Sequence, residues 1–413
     1  MAIDNKDKKV LKSSIEREQN EVACSAECEK IKGSKNLNVP HLRFPEFTEE
    51  WRSHFLTDFM SFKNGMNPDA KRFGRGTKFI SVMDILNNQF ICYDNIRASV
   101  EVMDGDIDTY GVNYGDILFQ RSSETLEDVG QANVYLDSKP AIFGGFVIRG
   151  KSKGNYNPLF FRYLLASPTA RKRIIVKGAG AQHFNIGQDG LSKVSLDIPC
   201  MQEQKKIGEL LQCIDARIAT QNKIIEKLQS LIKGIAQHCI KESTSGNTYV
   251  KLGDICQITT GKLDANAQVD NGIYPFFTCA EQPFKIDSFA FDTEALLISG
   301  NGANLGYINY YKGKFNAYQR TYVLDLFSEN IQYIKWALKV LLPKRIAIEK
   351  SSSNTPYIVL STLTDLRLPI PCKSKQSFIA NLMQSLERKL SNQIAQYDSY
   401  NYLKQYLLRQ MFI

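Results

Sequence analysis

Arginine, lysine, asparagine and glutamine are the side chains that hydrogen-bond base edges in a duplex groove, and this sequence collects them in turn-rich loops. The first half offers Lys63, Lys71, Arg72, Arg75 and Lys78, then Arg121, Ser122 and Ser123, then Gln182, His183 and Asn185 in a glycine-rich stretch. The second half offers Lys262, Asn266 and Gln268, then Asn301 and Asn304, then Gln319 and Arg320, then Ser352, Asn354 and Thr355. Arg171-Lys172-Arg173 is expected on phosphates, contacts that position a protein without specifying sequence. The acidic stretch Glu101, Asp104, Asp106 and Asp108 would repel phosphates and is expected to face away from them. Plainer readings stand beside these. Lys71, Arg72 and Arg75, next to Gly74 and Gly76, suit a solvated hairpin as well as a contact, and Arg121 has Glu124 and Asp128 as alternative partners.

Enzymatic chemistry has one literal motif. Gly145–Ser152 spells G-x₄-G-K-S, but a phosphate loop must curve with exposed amides and open a helix at its lysine. Here Phe146-Val147-Ile148 is a strand signal, and Lys153–Pro158 does not start a helix. No Asn/Asp-Pro-Pro methyltransferase motif occurs, Glu203-x-Lys205 falls in a long helix, and no triad spacing is present. His183 has no neighbouring carboxylate or cysteine to share a metal, and Cys24 and Cys28 lack a second ligand pair, so no metal site is expected. An ATP-dependent DNA-processing enzyme built on Gly145–Ser152 remains the alternative, with a scaffold that binds only protein a weaker third.

The elements that must hold these loops are written twice. Residues 201–240 and 373–412 align without a gap at an offset of 172, from Cys200–Gln204 facing Cys372–Gln376 onward. Ile207, Leu211, Ile214, Ile218, Ile225, Leu228 and Ile235 face Ile379, Met383, Leu386, Leu390, Tyr397, Tyr400 and Leu407. Their 3-then-4 spacing is the narrow stripe of a two-stranded coiled coil. Gln221 and Gln393 share one position inside it and are expected to meet in an antiparallel pair, a polar contact that fixes register; a solvated side chain is the alternative. Tyr397, Tyr400 and Lys404 make the second stripe less regular, which leaves room for a partner protein. About 40 residues at 1.5 Å each make a rod of roughly 60 Å, the length of about 18 base pairs of B-DNA.

Each rod follows a copy of one larger module. Leu56-x-Asp58-Phe59-x₅-Gly65 matches Leu252-x-Asp254-Ile255-x₅-Gly261, and Lys78–Ser81 answers Pro275–Thr278. The strand pattern Gly115–Phe119 answers Thr293–Ile298, helix-like 160–167 answers 333–340, and the closing strands 191–200 and 363–372 both end in Pro-Cys. Short mixed strands with a few helices predict an α+β fold: two globular domains joined to two long antiparallel helices in an internal twofold repeat. The expected division is a polar N-terminal extension 1–38, a first domain 39–200, a long helix 201–245, a second domain 246–372 and a second long helix 373–413. The longer first domain is expected to carry insertions within 86–110 and 120–140.

Composition sets limits. A net charge of +9 spread thinly over 413 residues gives weak bulk attraction to phosphates, so any nucleic-acid surface needs segregated charge. No apolar run approaches a membrane span, the N-terminus lacks a signal-peptide core, and nine scattered cysteines suit a reducing cytoplasm.

The VPHLRFPEFTEEW opening, the GDILFQRSS strand and loop, the helix start IPCMQEQKKIGELLQCIDARI and the duplication of module plus helix carry a resemblance. From residue 39 to 413 the chain resembles the specificity (S) subunit of type I restriction-modification systems. The resemblance implies two target-recognition domains, each reading half of a split DNA target, with the helices as spacer. It implies a non-catalytic subunit that holds two modification (methyltransferase) subunits and, through them, the restriction subunits of a host-defence complex. S-adenosylmethionine, ATP and Mg would reside on those partners. The long tail and SGNGAN in place of QRSS depart from the pattern.

Overall fold

The structure, a computed structural model, describes residues 38–243, 248–349 and 357–413. The tail up to residue 37, with Cys24 and Cys28, the linker residues 244–247, and Ser352, Asn354 and Thr355 lie outside them. Two compact units form, one taking in Met1–Ala216 and Tyr402–Ile413, the other Arg217–Asn401. Packing thus divides the chain inside its two long helices, Met201–Glu242 and Lys373–Gln410.

In the first unit the strands that open and close the domain, Arg52–Phe55 and Ser195–Ile198, pair antiparallel. Between them lies an antiparallel sheet in the order Met60–Asn64, Val147–Ser152, Ile117–Gln120, Ala132–Val134. A second sheet runs Ala98–Val100, Phe73–Ile80, Ala141–Phe143, Gly111–Val112, and Phe79-Ile80 pairs parallel with Ile142-Phe143. Gly65 allows the two to meet, because a Cβ there would collide with the Gly144 carbonyl oxygen. Helices Pro158–Ala166 and Pro168–Ile175 each start with proline behind a side-chain cap, Asn157 and Ser167, which suits a residue that has no N–H to offer.

The second unit repeats this plan. Thr248–Lys251 pairs with Arg367–Ile370, and one sheet runs Gln257–Thr260, Thr321–Asp325, Phe291–Ser299, Ile308–Ala317, Tyr274–Phe277, Phe284–Ile286. Gly261 stands where Gly65 does, its missing Cβ facing the Ala317 carbonyl oxygen. Helix Ile331–Glu349 buries Tyr333, Ile334, Ala337 and Leu338 against the sheet.

Each long helix is tied to the domain before it by the same device. Gln204 donates to the Pro199 carbonyl (3.0 Å) and accepts the Asn157 N–H (3.0 Å); Gln376 does the same with Pro371 (2.9 Å) and Asn330 (3.0 Å). The first helix start has a further clamp, in which Arg43 grips Glu203 with two bonds of 2.7 Å and the Trp51 indole donates to Glu203 at 3.3 Å. Trp51 also packs on Phe160 and Phe412, so the last residues of the chain close the core of the first unit.

The helices run antiparallel within each unit. In the second, the Gln221 amide donates to the side chain and the backbone carbonyl of Gln393, both at 2.9 Å, while Lys375 reaches the Glu242 carbonyl at 3.0 Å. In the first, Lys404 pairs with Asp215 at 2.7 Å. Ile207, Leu211, Ile214, Ile225, Leu228, Ile379, Met383 and Leu407 are buried, and Ile218, Ile235, Leu386, Leu390, Tyr397 and Tyr400 are half-buried. Ile232, Ala236 and Ile240 extend the stripe beyond the expected residues.

Candidate nucleic-acid interface

In the first domain two of the three expected groups converge. Ser122-Ser123 and Phe184-Asn185 form a small antiparallel ribbon in which the Ser122 hydroxyl donates to the Asn185 side-chain oxygen. Arg121 sits at its base: its N–H donates to the Phe146 carbonyl and its own carbonyl accepts from Ile186, both at 2.9 Å. The guanidinium donates to the neutral Gly145 carbonyl at 3.3 Å, and among the described residues it forms no ion pair with Glu124 or with Asp128, which instead accepts from Thr125 and Gln131. Gln182 and His183 stand exposed on the adjoining loop, and Phe146 is 70% exposed.

The basic group around residue 72 is a different matter. Arg72 donates to the Glu101 carbonyl (2.8 Å) and forms an ion pair with Asp106, while Arg75 pairs with Glu101 at 2.7 Å. The acidic stretch therefore does not turn away from the basic hairpin; strand pairing of Phe73–Ile80 with Ala98–Val100 brings the two together and neutralises the arginines. Lys78 is spent on the Ile96 carbonyl (2.7 Å), Lys63 lies over the Tyr110 ring, and Lys71 is left exposed. Arg171 and Arg173 are likewise engaged within the fold. Arg171 holds the Glu127 and Val129 carbonyls, its guanidinium pushed down by burial, and Arg173 pairs with Asp197 at 2.8 Å. Lys172 alone of the three is exposed.

The Arg72–Asp106 clamp makes a pH prediction. The Met103 N–H and then the Arg72 guanidinium hold the Asp106 carboxyl below the usual aspartate range. A depressed folded-state value means stability that is present above the unfolded-state value and is lost only as pH falls through the lower, folded one. The Asp106 carboxyl carbon, followed by NMR, should titrate below ordinary aspartates, and Arg72→Ala should return it toward their range; a normal midpoint in the parent protein would contradict the clamp.

In the second domain Asn301, Asn304, Gln319 and Arg320 converge. Cys279 organises them: its thiol donates to the Asn301 side-chain oxygen (3.0 Å) and its carbonyl accepts from the Asn304 amide (3.0 Å). Gln319 binds the Leu263 carbonyl through its N–H (2.9 Å), which brings the Lys262 loop alongside. Lys262, Asn266, Gln268, Gln319 and Arg320 are all exposed. Spacing gave no sign of Cys279, whose role depends on strands far apart in sequence.

Gly145–Ser152 is no phosphate loop. Val147–Ser152 is a strand, Gly150 and Lys151 pairing with Phe62 and Ser61, so the backbone amides that would cradle phosphate are committed to a sheet. Among the described residues no cluster of His, Cys, Asp and Glu is arranged to hold a metal, and no helix is long and apolar enough to cross a membrane.

A family model described as the type I restriction modification DNA specificity domain matches this chain twice, over residues 48–230 and 244–397. The chain belongs to that family. Its two specificity domains correspond to the two modules of the repeat. The chain is 44% identical over 137 residues to the EcoDI specificity subunit of Escherichia coli, a match covering 33% of this chain and 30% of that one. It is 22% identical over 404 residues to the MjaVIII specificity subunit of Methanocaldococcus jannaschii, covering 86% and 89%. In fold it is similar to the S subunit of a type I restriction-modification system from M. genitalium, with a TM-score of 0.60 at 17% identity over 91% of this chain and 99% of that one.

Proposed function

We propose that this chain is the sequence-specific DNA-binding subunit of a type I restriction-modification complex, each domain reading one half of a two-part duplex target. The observation that carries the reading is a shared backbone frame with divergent polar loops: Arg121, Ser122 and Asn185 at the end of one sheet, Asn301, Asn304 and Arg320 at the end of the other. A rigid frame with variable loops suits two reading heads with different targets. The chain itself is non-catalytic, acts in the cytoplasm, and holds two modification subunits and, through them, restriction subunits. S-adenosylmethionine, ATP and Mg belong to those partners.

Exchanging residues 39–200 for the corresponding module of another family member should change one half of the methylated motif and leave the other half as it was. A change in both halves would overturn the modular reading.

A further inference from the structure

The two domains can be superposed bond by bond at one rung of the frame, and each presents a single arginine there. In the first domain Arg121 follows the strand Ile117–Gln120, donates its N–H to the Phe146 carbonyl and accepts from the Ile186 N–H. In the second, Gly300 follows the strand Phe291–Ser299, donates its N–H to the Arg320 carbonyl (2.8 Å) and accepts from the Ile358 N–H (2.8 Å). Arg121 thus corresponds to Gly300, Phe146 to Arg320 and Ile186 to Ile358. The arginine has crossed the rung from one strand to the other.

A steric reason accompanies the crossing. A Cβ at Gly300 would collide with the Arg320 carbonyl oxygen and come within 3.2 Å of the Tyr322 ring, so no side chain fits there and the cation comes from the facing residue. Neither Arg121 nor Arg320 forms a salt bridge among the described residues, whereas Arg72, Arg75 and Arg173 all do. Side-chain amides and hydroxyls flank both: Ser122 and Asn185 in one domain, Asn301 and Asn304 in the other. Arg121 is anchored through both its N–H and its carbonyl and Arg320 through its carbonyl, and a guanidinium without a carboxylate can bond an acceptor pair bidentately; guanine O6 and N7 are that pair in the major groove.

We infer that the rung arginine, Arg121 in the first domain and Arg320 in the second, is the guanine-reading residue of each half-site. This rests on the DNA-reading function proposed above. Each half-motif then contains one guanine that depends on one arginine.

The test uses the chain in complex with its modification subunit. Methylated motifs are mapped in host DNA, and binding is measured on the duplex bearing the wild-type motif and on duplexes with single base-pair replacements. Arg121→Ala should weaken binding to the wild-type duplex roughly 10- to 100-fold and remove the preference at one G·C pair of one half-motif. Arg320→Ala should do so in the other half. Arg121→Lys and Arg320→Lys keep the charge and fill the site should an alanine variant fail to fold, and they too should lose that one preference. Unchanged base preferences, or a uniform weakening across all duplexes as expected of a phosphate contact, would overturn the inference while leaving the two-part reading standing. Absence of a two-part motif for the wild-type complex would overturn both.

Discussion

Arg43→Ala is expected to lower the stability of the first unit by about 3–5 kcal/mol, the usual cost of stranding one member of a buried ion pair. Glu203 has no exposed surface, and its two oxygens receive the Arg43 fork at 2.7 Å each. The Trp51 indole is its third donor, at 3.3 Å, and is too weak to hold a carboxylate alone. Arg43 also binds the Glu49 carbonyl (2.6 Å), so the chain segment leading into the first domain loses its attachment to the helix start. Replacing both partners, Arg43→Met with Glu203→Leu, should cost much less than the single change, because no bare charge stays behind. The chain has two tryptophans, Trp51 in this unit and Trp336 in the other. Urea unfolding followed by Trp51 emission in a Trp336→Phe background therefore reports the first unit directly. A loss below about 1 kcal/mol, the range of an exposed pair, would contradict the clamp.

Gln204→Leu and Gln376→Leu should each orphan two backbone groups, a part-buried N–H at Asn157 or Asn330 and a buried carbonyl at Pro199 or Pro371. At about 1–3 kcal/mol per group, either change costs roughly 2–6 kcal/mol. The two glutamines are 3% and 1% exposed, so water does not readily replace them. The loss should be local to its own unit. Hydrogen exchange should show the Asn157 amide losing protection in Gln204→Leu with Asn330 unaffected, and the reverse in Gln376→Leu. Retained protection at the orphaned amide would show that the glutamine does not carry the joint between domain and helix.

Much of this architecture was legible because the gene says it twice. The 172-residue offset aligns Gln221 with Gln393 and Gln204 with Gln376; the structure joins the first pair directly and gives the second pair equivalent backbone partners, Gln376 binding Glu329 in addition. The closing strands, visible as two Pro-Cys endings, pair with the opening strands in both domains. Periodicity reports a residue's face, however, and not its distant partner. Arg43 and Glu203 are 160 positions apart, and nothing in their spacing marks them. Along the sequence Arg72 belongs to a group suited to base edges and Asp106 to one expected to face away from phosphates; strand pairing, which charge spacing does not show, makes them a pair. Arg171 sits in a basic run that spacing marks as surface charge, yet its guanidinium caps two backbone carbonyls. The correspondence of Arg121 with Gly300 also escaped alignment, since the functional group changed strands while the hydrogen bonds stayed.

The most direct measurement is the set of methylated bases in host DNA when this chain is produced with its modification subunit. Two heads built on one frame with different loops predict an interrupted motif, two unlike specified blocks separated by unspecified base pairs. A contiguous palindrome would contradict the account.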